Sequence, residues 1–158
     1  MKKIFLYVFI IVASGILFTN IYNSLVDARS WAFLFPESVE TARLYFKNVN
    51  PGIFYRLFSP ILQALGLVCV ILFWKGNKRA RLYLIIALII YVLADIFTFA
   101  YFYPRNDIIF FQTAIEGNTE KIKVAIHEWA FANWIRSLIV LAGITFSSLA
   151  LHTIYKRS

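Results

Sequence analysis

Apolar residues fall into four long runs, Ile4–Tyr22, Leu57–Trp74, Leu82–Tyr103 and Leu138–Tyr155. Segments rich in charges, prolines and glycines separate them. Each run approaches the roughly 20 residues that a helix needs to cross a hydrocarbon layer about 30 Å thick. None carries, along its whole length, the polar stripe of a helix lying at a water-exposed surface. The pattern predicts an all-α fold, a polytopic membrane four-helix bundle forming a single integral membrane domain over residues 1–158. The spans fall at about 4–22, 55–74, 82–103 and 133–155.

The intervening segments carry their own signals. In "PESVETARLYFKNVNPG", Pro36 suits a first helical turn, Glu37 and Glu40 suit the positive helix start, and Asn50-Pro51-Gly52 is a stop. A short helix near Glu37–Asn48 is predicted on the outer surface. The later loop has apolar patches on either side of the turn signal Glu116-Gly117-Asn118. Two helical pieces are predicted there, the second running directly into the fourth span. Lys2, Lys3 and the small residues Ala13-Ser14-Gly15 also resemble a cleavable signal sequence, but the apolar run continues through Ile16, Leu17, Phe18 and Ile21. That continuation favours a retained span.

Composition supports this picture: 61% of residues are hydrophobic and 15% charged, against about a quarter charged in ordinary soluble domains. The net charge of +8 fixes a direction. Lys2, Lys3, Lys75, Lys78, Arg79, Arg81, Lys156 and Arg157 fall on one side of a four-span arrangement, with no acid among them. Short, densely basic loops stay cytoplasmic, so both termini are expected inside. Basic flanks of this kind point to anionic lipid headgroups and a bilayer as partner, and no nucleic acid is expected. The single cysteine, Cys69, lies within the second span and has no intrachain partner for a disulfide, which excludes paired-thiol redox chemistry.

Polar residues inside the spans are the candidates for chemistry. Positions three, four and seven apart share a helix face. Asn20, Asn23, Ser24 and Asp27 align in the first span, Arg56, Ser59, Pro60 and Gln63 in the second, Asp95, Thr98 and Phe102 in the third, and Trp129, Asn133, Arg136 and Ser137 in the fourth. At about 1.5 Å per residue from the cytoplasmic ends, Arg56, Arg136 and Asn20 lie at ~24–28 Å and Asp95 and Gln63 at ~16–20 Å. All belong to the outer half. A charge facing lipid near the bilayer centre costs at least ~2.5 kcal/mol, so the stripes should face one another. Arg136 or Arg56 is the expected direct partner of Asp95. The same contacts are also expected of plain helix–helix glue.

Metal chemistry is disfavoured by spacing. His127 and His152 are the only histidines and stand ~37 Å apart on one continuous helix. There is no paired Glu-x-x-His pattern, and no cofactor is expected. His127, beside Glu128 at the outer mouth, is a candidate base. Most of the tryptophans and tyrosines fit interfacial belts, while Phe97, Phe99, Tyr101, Phe102 and Tyr103 are placed to wall an apolar pocket.

Asn20 with Tyr22 and Asn23, Pro104-x-Asn106, and Trp129-x-x-x-Asn133-x-x-Arg136 together resemble the anthrone-oxygenase-like family of four-helix membrane proteins, over nearly the whole chain. "NIYNSLVDARSW" and "NPGIFYRLFSPI" look like a bacterial subgroup, which implies a bacterial cytoplasmic (inner) membrane. The resemblance implies oxidation of an aromatic anthrone by oxygen without metal or flavin. By that analogy Asp95 or His127 is the base, and Arg136 with Asn133 stabilises the oxyanion. Asn20, Asn23, Arg56, Gln63, Thr98, Asn106 and Trp129 complete the expected ligand pocket. Two readings stand: a binder or oxidant of a small apolar or aromatic molecule, and a non-catalytic subunit, assembly or transport-related protein whose polar stripes hold helices together. The sequence leaves the oligomeric state open.

Overall fold

The computed structural model describes residues 2–111 and 114–156, and among them there is no strand. Helices long and apolar enough to cross a membrane cover Lys2–Ala32, Gly52–Leu72, Lys78–Phe111 and Thr119–Tyr155. The chain is an integral membrane protein with an all-α, four-span fold.

The first span begins as α1 (Lys2–Tyr22), loosens into a π-helical turn at Asn23–Asp27 and ends as α2 (Ala28–Ala32). The short α3 (Glu37–Tyr45) follows between the first two spans, the helix that the Pro-Glu start predicts. The second span is α4 (Gly52–Leu72). The third runs from α5 (Lys78–Phe97) through a π-turn at Thr98–Phe102, α6 (Tyr103–Asn106) and another π-turn at Asp107–Phe111. The fourth is the 37-residue α7 (Thr119–Tyr155), which starts in the outer loop and continues unbroken, as expected. Around the bundle the order is α1, α4, α5, α7, with α1 and α7 again adjacent and α1–α5 and α4–α7 as diagonals.

Local chemistry sets the ends. The Asn77 side chain caps α5, accepting from Arg79 N at 2.8 Å and Ala80 N at 3.4 Å. Arg81 Nη1 donates to Trp74 O at 2.6 Å and closes the same tight loop. Lys3 Nζ stands 3.9 Å from the centre of the Tyr155 ring, and Tyr7 OH donates to Tyr155 OH at 2.9 Å. The first and last helices therefore start and finish on the same side of the bundle. Arg157 lies outside the described residues.

The bundle has two cores. The inner one joins Leu6, Phe9 and Ala13 of α1, Leu84, Ala87 and Tyr91 of α5 and Ala150 of α7. Lipid is as apolar as these side chains, so close van der Waals packing replaces the hydrophobic effect as the driving force. Gly143 shows how close: a Cβ there would lie 2.4 Å from Tyr91 Cε1. The outer core joins Trp31, Val39, Phe102, Ile109, Ile122 and Trp129. Arg43 fastens α3 to it, donating from Nε to Ile109 O at 2.8 Å.

Candidate functional site

A cavity of about 480 Å³ opens between α4 and α5, in the half of the bundle away from Lys3 and Tyr155, with the first span and α7 behind it. Its wall is mostly apolar and aromatic: Trp31, Phe46, Phe99, Phe102, Phe110 and Trp129. Pro60, Val92, Ile96 and Phe99 line it and are also exposed on the bundle surface, so the opening faces the bilayer. Pro60 lies inside α4 and has no N–H to return to the Arg56 carbonyl.

The polar groups come from each span. Asn23 and Asp27 bracket the first π-turn, and Thr98 and Phe102 bracket the second. A π-turn re-aims side chains relative to the helix before it, and such turns are frequent at functional sites. Both pairs line the cavity.

Arg136 is the central charge. It is 4% exposed and belongs to the buried residues of α7, with Trp129, Ala132, Asn133, Ser137 and Val140. Its Nη2 donates to Asn133 Oδ1 at 2.5 Å and approaches Tyr55 OH at 3.5 Å. Its guanidinium carbon stands 4.1 Å from the centre of the Phe102 ring, 4.8 Å from that of Tyr55 and 6.0 Å from that of Trp129. Aromatic faces attract a cation, and the attraction grows when water is excluded. Among the described residues no carboxylate comes within 4.0 Å of its nitrogens, and Nε has no acceptor.

The expected Asp95 ion pair with Arg136 or Arg56 is not formed. Asp95 instead receives a hydrogen bond from Gln63 Nε2 across the α4–α5 interface, with Ser59 beside it. Helix phase explains the difference. Ala80, Leu84, Ala87, Tyr91 and Ala94 are the buried face of α5, and Asp95 is one step, about 100°, away from Ala94. Arg56 is exposed at the mouth of the cavity.

Asn133 does not reach the cavity. It is fully buried, and its Nδ2 donates to Asn20 O and to Ser24 Oγ, both at 2.7 Å. Both amide hydrogens are used, and its oxygen holds Arg136. It is thus an anchor for Arg136 and has no donor left for an oxyanion. Asn20 also lies behind the wall: its Oδ1 accepts from Tyr55 OH at 2.7 Å. His127 is exposed and lines a separate groove. Asn23, Arg56, Gln63, Asp95, Thr98, Asn106, Trp129 and Arg136 do share the one cavity. Asn106 Oδ1 accepts from Trp129 Nε1 at 2.9 Å and so fixes the indole.

Tyr55 belongs to the site although no polar stripe of the sequence marks it. Its hydroxyl joins Asn20, Asn23 at 3.0 Å and Arg136. Asn23 keeps that contact in either amide orientation; with its nitrogen turned toward Asp27 Oδ2, at 3.0 Å, its oxygen accepts from Tyr55 OH, whose single hydrogen then serves Asn23 in place of Asn20. Tyr55 is four residues before Ser59 and eight before Gln63, so helix phase places it on the same face. Among the described residues no three His, Cys, Asp or Glu side chains gather as a metal site.

The sequence model of the anthrone oxygenase family matches residues 53–146, the second and third spans with most of the fourth, which supply most of the cavity. The chain belongs to the anthrone oxygenase family. The first span, with Asn20 and Asn23, lies outside the matched range. No curated protein matches the chain. No solved structure matches it either.

Proposed function

We propose that this family member takes a planar aromatic ketone or phenol from the bilayer into the outer-half cavity and oxidises it with molecular oxygen, using its own side chains for acid–base work. The observation that carries this reading is Arg136: a buried cation with no carboxylate partner among the described residues, on the wall of an apolar cavity large enough for a fused-ring compound.

In the proposed reaction Asp95 accepts a proton from the methylene carbon of an anthrone-type ketone. The electron pair moves to the carbonyl oxygen, and the resulting enolate lies against Arg136. The negative charge thus passes from Asp95 to the ligand, and an apolar, water-poor site makes its interaction with a fixed cation count. Oxygen takes one electron from the enolate, the radical pair combines into a C–O bond, and the peroxide is protonated. Loss of the remaining C–H proton with O–O cleavage leaves a second carbonyl and releases water. The methylene plus one oxygen molecule has become a carbonyl plus one water. Tyr55 and Asn133 hold the Arg136 guanidinium in place, Trp129 and Phe102 pack on the ring system, and Gln63 orients the base. Both termini lie on the cytoplasmic side of a bacterial inner membrane in this reading, which puts the cavity in the outer leaflet.

A second reading is supported by the bonds from Asn133 to Asn20 and Ser24, which join the fourth span to the first and would suit a purely structural lock. Oxygen uptake by purified protein with an anthrone separates the two. The catalytic reading expects consumption of one oxygen per anthrone, and a loss of at least about a hundredfold in Asp95→Asn with an unchanged thermal midpoint. A wild-type protein with no uptake, and an Asp95→Asn variant that only melts earlier, would support the structural lock.

A further inference from the structure

A second cavity, of about 570 Å³, lies between α2 and the first half of α7 and shares no lining residue with the first. Its α7 wall carries Lys123, His127, Phe131 and Trp134, spaced four, four and three residues apart and all exposed. That spacing is one helix face. From Lys123 to Trp134 the helix rises about 16 Å, so the face grades from an ammonium through an imidazole to two aromatic rings. Across the groove stands Arg29, with Ala28 and Ala32 leaving room beside it.

Among the described residues no carboxylate lines this groove. Glu120 touches Lys123 at 3.3 Å, but its side chain is 84% exposed, and such pairs are weak. The Arg29 guanidinium and the His127 ring bond to no described residue. The neighbouring acids are engaged elsewhere: Asp27 lines the first cavity, and Glu128 is held by Arg105 at 2.8 Å. The helix enters the bilayer along this stretch, where the headgroup layer adds about 5–8 Å to each side of the hydrocarbon.

A small soluble anion would use the cations and leave the aromatic half of the groove bare. A wholly apolar ligand would strip water from Arg29 and Lys123 without replacing it. A zwitterionic headgroup brings its own cation against them. We propose that the groove holds an anionic glycerophospholipid, with Arg29 and Lys123 on the phosphodiester oxygens. His127 donates a ring N–H to the same group, and an acyl chain lies along Phe131 and Trp134. Tryptophan at this level is a common interfacial anchor.

The test is native mass spectrometry of delipidated full-length protein titrated with phosphatidylglycerol and, separately, with phosphatidylcholine of the same chains. The expected result is at least tenfold tighter binding of phosphatidylglycerol. Arg29→Gln and Lys123→Gln should each weaken that preference by about fivefold, as loss of one cation near a lipid phosphate implies. Lys47→Gln, at an exposed lysine that lines neither cavity, should leave it unchanged. Glycerol 3-phosphate at millimolar concentration should not displace the lipid; displacement would assign the groove to a soluble phosphate compound and overturn the proposal. Equal binding of the two lipids, or a preference that survives Arg29→Gln and Lys123→Gln together, would also overturn it. If the double variant does not fold, the two single variants carry the decision.

Discussion

Asn133→Asp separates the anchoring of Arg136 from its charge. Asn133 Oδ1 already accepts from Arg136 Nη2 at 2.5 Å, so an aspartate of the same shape keeps that hydrogen bond and supplies the carboxylate that Arg136 lacks. It loses both amide donors. Ser24 can rotate its hydroxyl to donate, but the Asn20 carbonyl loses the amide donor and faces a carboxylate oxygen instead, at a cost of about 1–3 kcal/mol. The new ion pair offsets this, so the thermal midpoint should move by only a few degrees. Ligand binding should change far more. A unit negative charge about 4 Å from a guanidinium that has no ion-pair partner gains up to about 4 kcal/mol at an effective dielectric constant of 20, close to three decades in affinity. A carboxylate already on Arg136 removes most of that gain. The assay is titration with a polycyclic phenol at a pH where it is the phenolate, alongside its methyl ether, followed by quenching of tryptophan fluorescence. The phenolate should bind the wild type at least a hundredfold more tightly than the ether, and the preference should vanish in Asn133→Asp. Equal preference in both proteins would refute the assignment of Arg136 as the anion partner.

Three further outcomes follow from the packing and the topology. Gly143→Ala should lower the melting temperature, since its methyl group would meet the Tyr91 ring at 2.4–3.0 Å and overpacking costs about 1–3 kcal/mol; Tyr91→Leu in the same chain should restore it. Asn77→Ala should cost about 1 kcal/mol in a denaturation experiment and Asn77→Asp little, because the cap acts through its side-chain oxygen. With Cys69 buried and silent, a membrane-impermeant maleimide should label Glu37→Cys in intact cells and Lys156→Cys only after lysis, and the reverse pattern would invert the orientation.

Much of the fold could be read from the chain because lipid-crossing helices are apolar on every side and their lengths are set by the bilayer. The α3 helix was equally legible, since Pro36, Glu37 and Asn50-Pro51-Gly52 act locally. Eight of the expected site residues do meet in one cavity, because polar groups at the same depth are cheapest together. Lateral placement was not legible. Depth puts Asp95 and Arg136 within reach of each other, but the phase of α5 turns Asp95 toward Gln63. The π-turns at Asn23–Asp27 and Thr98–Phe102 shift helix phase in a way that a 3.6-residue period does not anticipate. Tyr55 was hidden by its type: in a membrane protein a tyrosine near a span end reads as an interfacial anchor. Only its contacts with Asn20, Asn23 and Arg136 distinguish it. His127 misled because depth alone does not say which side of α7 a residue occupies; it faces the outer groove instead.

If the proposed function holds, the cavity between α4 and α5 binds an aromatic anion through Arg136. The most direct measurement is an experimental structure with a brominated polycyclic phenol bound, the bromine located by its anomalous signal. Bromine is expected inside the cavity lined by Tyr55, Phe102 and Trp129, with the phenolate oxygen within hydrogen-bonding reach of the Arg136 guanidinium. Bromine found only on the lipid-facing surface or in the groove beside His127, with the Arg136 cavity closed or filled by protein, would contradict it.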